Sequence, residues 1–400
     1  MLGARGRMAW LRRVLSIVAV CAATIGCTGP AQDAEGRSPT SGPGSTADRP
    51  DGAVAQGVST FVVGDEVWSG GGVYFEERVG ESSKFVDVVD VYRRFDSEGE
   101  EVGSTRIDGL GDSFVFTAFA IAAPNDTAFL LENRCPVPVG TGDTGFGCGQ
   151  PTPRLIRISP GGDTVIDLQR SVSDEAMLMT PVAATDDTLA IVAEPLNGSP
   201  VLSFINLDTG DATTTDLPEG VGASSVCGQD DAMYAVSQSS DNGIAAKPVS
   251  LHRSPIGEDA VWATLGTVVL NADAVGVEDV RLACAPSFAV WANMNQPAAI
   301  LVTFDLDTGT GVEESNFWED PQVSSVALCA GESGVVISGT SPDRQTAHYR
   351  PITKAGPAGI GNELERADEF RTQPVGCPVG TRIVEASQTG SPSEPAHVVR

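Results

Sequence analysis

The chain has 400 residues, 41% of them apolar and 20% charged, a balance that can fill a sizeable core and lies far from the disordered class. Its formal charge is −28 and only three lysines occur, Lys84, Lys247 and Lys354, which argues against a phosphate-reading nucleic-acid surface and favours cationic partners or ions. With 45 glycines and 26 prolines spread along the chain, long helices are expected to be scarce, and short apolar runs between turn residues read as all-β.

The chain opens on MLGARGRMAWLRR, with four arginines and no acid, followed by the uncharged stretch Val14 to Gly26. That is the layout of an export signal, and the apolar stretch is too short for the roughly 20 residues a membrane-spanning helix needs. Thr24-Ile25-Gly26-Cys27 resembles the lipobox of bacterial lipoproteins, with Thr24 where that family prefers leucine. The resemblance implies a signal over 1–26, an acylated Cys27 as mature N-terminus, and a protein held at the outer face of the bacterial cell membrane. An ordinary secretory signal cut nearby is the plainer alternative. Losing residues 1–26 with their four arginines carries the charge from −28 to −32. Residues 27–55, rich in Gly, Pro, Ser and Thr, read as a flexible tether with a reach on the order of 30 Å.

From residue 56 onward a repeat emerges. IAAPNDTAFLLE (121–132), VAATDDTLAIVAE (182–194), SVCGQDDAMYAVS (225–237), LACAPSFAVWAN (282–293), ALCAGESGVVISG (327–339) and VGCPVGTRIVEAS (375–387) each set a small residue before a turn and an apolar β run. The small residues are Ala123, Ala184, Cys227, Cys284, Cys329 and Cys377, and FVVGDEVWS (61–69) adds a looser copy at Val62. Spacings of 61, 61, 43, 57, 45 and 48 residues are those of four short strands, some with insertions. Third runs such as VLSFINL (201–207) and ILVTFDL (300–306) lead into Asp-Thr-Gly turns, which favour hairpins because glycine accepts positive φ. Seven such units over 56–400 predict a β-propeller of four-stranded blades; two β-sandwiches are the alternative. Only 23 residues follow Cys377, enough for strands near 381–387 and 396–400 and no fourth. The last blade is therefore expected to be incomplete.

The turns INLDTGDATT (205–214) and FDLDTGTGVE (304–313) resemble the repeats of bacterial YVTN and quinoprotein-like propellers. The tryptophans and docking motifs of the quinoprotein enzymes are absent from these copies, so no cofactor is carried over.

Six cysteines remain beyond Cys21 and Cys27, an even number suited to an oxidising compartment. Cys135 and Cys148 bracket a Pro- and Gly-rich loop whose closure would be worth roughly 3 kcal/mol. Cys227, Cys284, Cys329 and Cys377 share one repeat position; Cys227 with Cys284 and Cys329 with Cys377 would join neighbouring blades, though three pairings are open and buried free thiols fit equally.

Histidine-based chemistry is disfavoured, since His252, His348 and His397 fall one per blade on third strands. The acidic turns hold Asp65 and Glu66, Asp126, Asp186 and Asp187, Asp230 and Asp231, and Glu332. In a closed propeller they share one face, where carboxylates would ring the channel mouth and bind a hard cation such as Ca²⁺; aspartate is equally a favoured turn residue. The leading expectation is a non-enzymatic, lipid-anchored binding or scaffold module for a protein or other envelope component, with the loop 134–152 as its first contact candidate. The rival is an envelope hydrolase or lyase working through a carboxylate pair.

Overall fold

The computed structural model describes residues 53–79, 82–107, 113–125, 127–136, 152–158, 164–166, 176–195, 198–238, 248–257, 260–270, 280–293, 300–315, 324–341, 346–358, 362–365, 375–385 and 397–399. The strands fall into seven antiparallel sheets in chain order. The first holds β1 (Ala53–Val63), β2 (Glu66–Val79), β3 (Ser82–Phe95) and β4 (Glu101–Ile107). The second holds β5 (Ser113–Ala123), β6 (Thr127–Pro136), β7 (Thr152–Ile158) and β8 (Thr164–Ile166). In the third are β9 (Ala176–Ala184), β10 (Thr188–Pro195), β11 (Val201–Asn206) and β12 (Ala212–Asp216). β13 (Val226–Gln229), β14 (Ala232–Gln238), β15 (Pro248–Pro255) and β16 (Ala263–Val269) make the fourth. β17 (Val280–Ala285), β18 (Phe288–Asn293), β19 (Ile300–Asp305) and β20 (Gly311–Ser315) make the fifth. The sixth comprises β21 (Ser324–Gly331), β22 (Gly334–Thr340), β23 (Thr346–Thr353) and β24 (Gly356–Pro357), with β25 (Asn362–Glu365) also paired to β23. The seventh has three described strands, β26 (Gly376–Val379), β27 (Arg382–Glu385) and β28 (His397–Val399), in agreement with the incomplete last unit.

Side chains alternate across a strand, and here both faces of each second strand are covered. On β6, Ala128 and Leu130 pack toward the first sheet with Phe61 and Trp68, while Phe129 and Leu131 pack toward the third with Leu189 and Ile191. On β10, Ala190 and Val192 meet Met233 and Ala235 of the fourth sheet. On β14, Tyr234 and Val236 meet Trp291 of the fifth, and on β18, Val290 and Ala292 meet Val335 and Ile337 of the sixth. Val336 and Tyr349 then meet Ile383 of the seventh. The last interface returns to the start: Val379 and Val384 pack with Val62, Val67 and Phe95 of the first sheet. A sandwich sheet packs one face and leaves the other in water. Seven interfaces that follow one another and close are those of a β-propeller, and they explain why the second strands read as unbroken apolar runs.

First strands of neighbouring blades lie side by side around the axis. Space there is tight: a Cβ on Gly228 of β13 would sit 2.7 Å from Ala183 Cα of β9, and one on Gly331 of β21 would sit 2.7 Å from the Pro378 carbonyl oxygen of β26. The same closeness permits covalent links. Cys227 is bonded to Cys284, with Cα atoms 5.8 Å apart, and Cys329 to Cys377, with Cα atoms 5.1 Å apart, both inside the usual bridging range. The four cysteines thus form two inter-blade disulfides, the second fastening the short last blade to the sixth. Such bonds persist in oxidising, extracytoplasmic compartments. No helix among the described residues is long and apolar enough to cross a membrane.

Candidate binding face

In an up-and-down sheet the first and third hairpins project from one end and the second from the other. Turns at the first hairpin are two or three residues long, and four of them use a left-handed residue: Gly64, Asn125, Asp230 and Gly380, with φ of 58°, 62°, 57° and 58°. Asn and Asp tolerate that conformation better than other non-glycine residues, which accounts for part of the polar character of these turns.

The third hairpins repeat one device. Asn206 Oδ1 accepts from the backbone N–H groups of Asp208 and Thr209, both at 3.0 Å. Asp305 Oδ1 accepts from Asp307 and Thr308 at 2.9 and 3.0 Å, and Asp96 Oδ1 from Glu98 and Glu100, both at 2.9 Å. These side-chain-to-backbone bonds fix each turn locally.

The turns are also laced from blade to blade. Asn125 Nδ2 donates to Asp186 Oδ1 at 2.9 Å between blades two and three. Lys354 of blade six reaches Asp305 and Asp307 of blade five at 2.8 and 3.7 Å, and its ammonium, with the Thr308 N–H, holds the Asp305 carboxyl down at about 2. Arg382 of blade seven donates to Glu98 Oε1 at 2.8 Å and to the Ser97 carbonyl at 3.2 Å, across the ring closure.

The described acidic turn residues occupy this end, and Glu66, Asp186, Asp187 and Asp230 are individually engaged. Asp187 accepts from the Thr185 and Thr188 hydroxyls at 2.9 and 3.1 Å, which pull its carboxyl below the ordinary aspartate value. Asp230 accepts from Gln229 Nε2 at 3.0 Å. Glu66 grips Arg94 through two 2.7 Å hydrogen bonds, and that guanidinium lies 5.1 Å over the Trp68 ring. Asp65, Asp231 and Glu332 are exposed. Among the described residues no three His, Cys, Asp or Glu side chains gather where they could hold a metal ion. Asp126, Cys27, Cys148 and the loop 137–151 lie outside the described residues, as does the side chain of Cys135.

The opposite end holds residues the sequence reading did not single out. Asn133, buried at the far end of β6, donates to the Met179 carbonyl and accepts from the Met179 N–H, each at 3.1 Å, clamping blade two to β9 of blade three. Ser338 of β22 accepts from the Gly376 N–H of β26 at 2.9 Å. Beside Asn133, Glu132 and Arg134 form a buried ion pair at 2.9 Å. Their signal is positional: each ends an apolar run with a polar residue whose parity points into an inter-blade face.

No protein-family model matches the chain, and no curated protein does. Among solved structures it is similar to an acylaminoacyl peptidase of Pyrococcus horikoshii, at 8% identity and a TM-score of 0.49, over 87% of this chain and 51% of that one. It is also similar to the β-propeller domain of the Trilobed protease from Pyrococcus furiosus, at 7% identity and a TM-score of 0.48, over 86% and 94% of the two chains. TolB from Acinetobacter baumannii is similar at 10% identity and a TM-score of 0.38, over 82% and 79%.

Proposed function

We propose that the protein is a lipid-anchored, extracytoplasmic β-propeller that acts as a binding or scaffold module for another cell-envelope component, with Cys27 as the acylated residue and residues 27–55 as the tether. The observation that carries this reading is the end of the ring where the first and third hairpins project. Its turns are short, hydrogen-bonded internally and tied across blades by Asn125–Asp186, Lys354–Asp305 and Arg382–Glu98. A pre-ordered surface loses little entropy when a partner docks. Its acidic character suits a cationic partner surface. The two inter-blade disulfides support an oxidising location, and the sequence before Cys27 supports export.

Two measurements test this reading. Cys27→Ser expressed in a bacterial host is expected to abolish incorporation of labelled fatty acid and release the chain from the membrane fraction; unchanged lipid labelling removes the anchor. Crosslinking of the anchored wild type should capture an envelope partner through hairpin-face residues such as Asp65 and Asp231. Capture that persists only through the opposite end would relocate the binding surface.

A further inference from the structure

The flank of blade four that faces blade three carries polar chemistry unrelated to the hairpin face. On β15, Val249 and Leu251 point into the core shared with blade five, so alternation turns Ser250, His252 and Ser254 the other way. There His252 Nε2 lies 2.8 Å from Ser237 Oγ of β14, and His252 Nδ1 lies 3.2 Å from Thr264 Oγ1 of β16. Ser237 and His252 are half-buried and Thr264 is exposed, so the group opens to solvent at its outer edge. A hydroxyl within hydrogen-bond reach of an imidazole whose other nitrogen is held by a third group is the arrangement of an activated nucleophile.

We propose that Ser237 and His252 are a nucleophile and base that accept the acyl group of small activated esters, with Thr264 as a positioning residue. When Nδ1–H donates to Thr264 Oγ1, the Nε2 lone pair is left to accept from Ser237. Burial lowers the affinity of His252 for a proton and favours that neutral imidazole. In the first step Ser237 Oγ bonds to the acyl carbon while its proton passes to His252 Nε2; the ester C–O bond breaks and the departing alkoxide takes that proton. In the second step water gives a proton to the same nitrogen and attacks the acyl carbon, and Ser237 regains its proton as the acid is released. Esters with good leaving groups suit such a site, because a pair on an open sheet flank adds little stabilisation to the developing oxyanion.

The test treats the full chain with a fluorophosphonate probe and maps the adduct by mass spectrometry, with fluoride as leaving group. The expected adduct is on Ser237, with none at that residue in Ser237→Ala. His252→Gln, which keeps hydrogen-bonding groups for both hydroxyls, should lower the labelling rate by on the order of 100-fold, as loss of a general base does, at an unchanged melting temperature. Thr264→Val should slow labelling and shift its pH profile, whereas Thr264→Ser restores both. Absence of a Ser237 adduct, or a His252→Gln rate within tenfold of wild type in folded protein, overturns the proposal.

Discussion

Asp305 shows how one side chain serves two purposes at the hairpin face. One carboxylate oxygen ends the backbone turn through the Asp307 and Thr308 N–H groups, and the other takes the ammonium of Lys354. With its pKa held at about 2, against about 3.9 for a free aspartate, the group favours the folded state above about pH 4. That contribution is lost as pH falls through 2. The pair is exposed, so the effect is local rather than a large share of stability. Lys354→Met should move the Asp305 titration, followed by carboxyl carbon NMR, back toward the free value while the backbone bonds retain part of the depression. A titration still at about 2 would mean that the turn alone sets it. The sequence displayed Asp305 within FDLDTGTGVE as a turn residue, but its lysine partner comes from the next blade and no local pattern marks it.

Among the elements, the second strands were the most legible in sequence. Runs such as AMYAV and FAVWA are apolar at every position because their strands are covered on both sides, and coverage of both sides is what a ring of sheets demands. Third strands followed from the same logic, and VLSFINL and ILVTFDL appear as β11 and β19. The polar residues that close these runs were not legible. Asn133 reads as the start of a loop until the strand is known to continue past it and its parity is known to aim it at β9. Its clamp on Met179 is buried on both sides, so removing it strands an N–H and a carbonyl away from water. Asn133→Ala should therefore cost about 1–3 kcal/mol in urea unfolding, whereas Asn125→Gly, which removes an exposed bond and keeps the left-handed turn, should fall within about 1 kcal/mol of wild type. Equal effects of the two would show that β6 is not fastened to β9 in this way.

At the scale of the molecule, repetition explains both the regularity and the exception. Equivalent cysteines pair across neighbouring blades because first strands converge at the axis, a consequence readable from their shared repeat position though not their pairing. The exception is the seventh blade, of which three strands are described. It is held on one side by the Cys329–Cys377 bond and the Val336, Tyr349 and Ile383 cluster. On the other side it depends on Val379 and Val384 against Val62, Val67 and Phe95, and on Arg382 with Glu98. Neither contact is local in sequence, and both are needed if first and last blades meet. Closure is the claim on which the shared hairpin face and the inter-blade cores rest. The most direct measurement is crosslinking of a Glu98→Cys/Arg382→Cys protein with a short bismaleimide, read by mass spectrometry of digested monomer. A closed ring predicts a linked peptide pair joining positions 98 and 382 within one chain at every protein concentration. Links found only between chains, or only single-ended adducts at both positions, would contradict it.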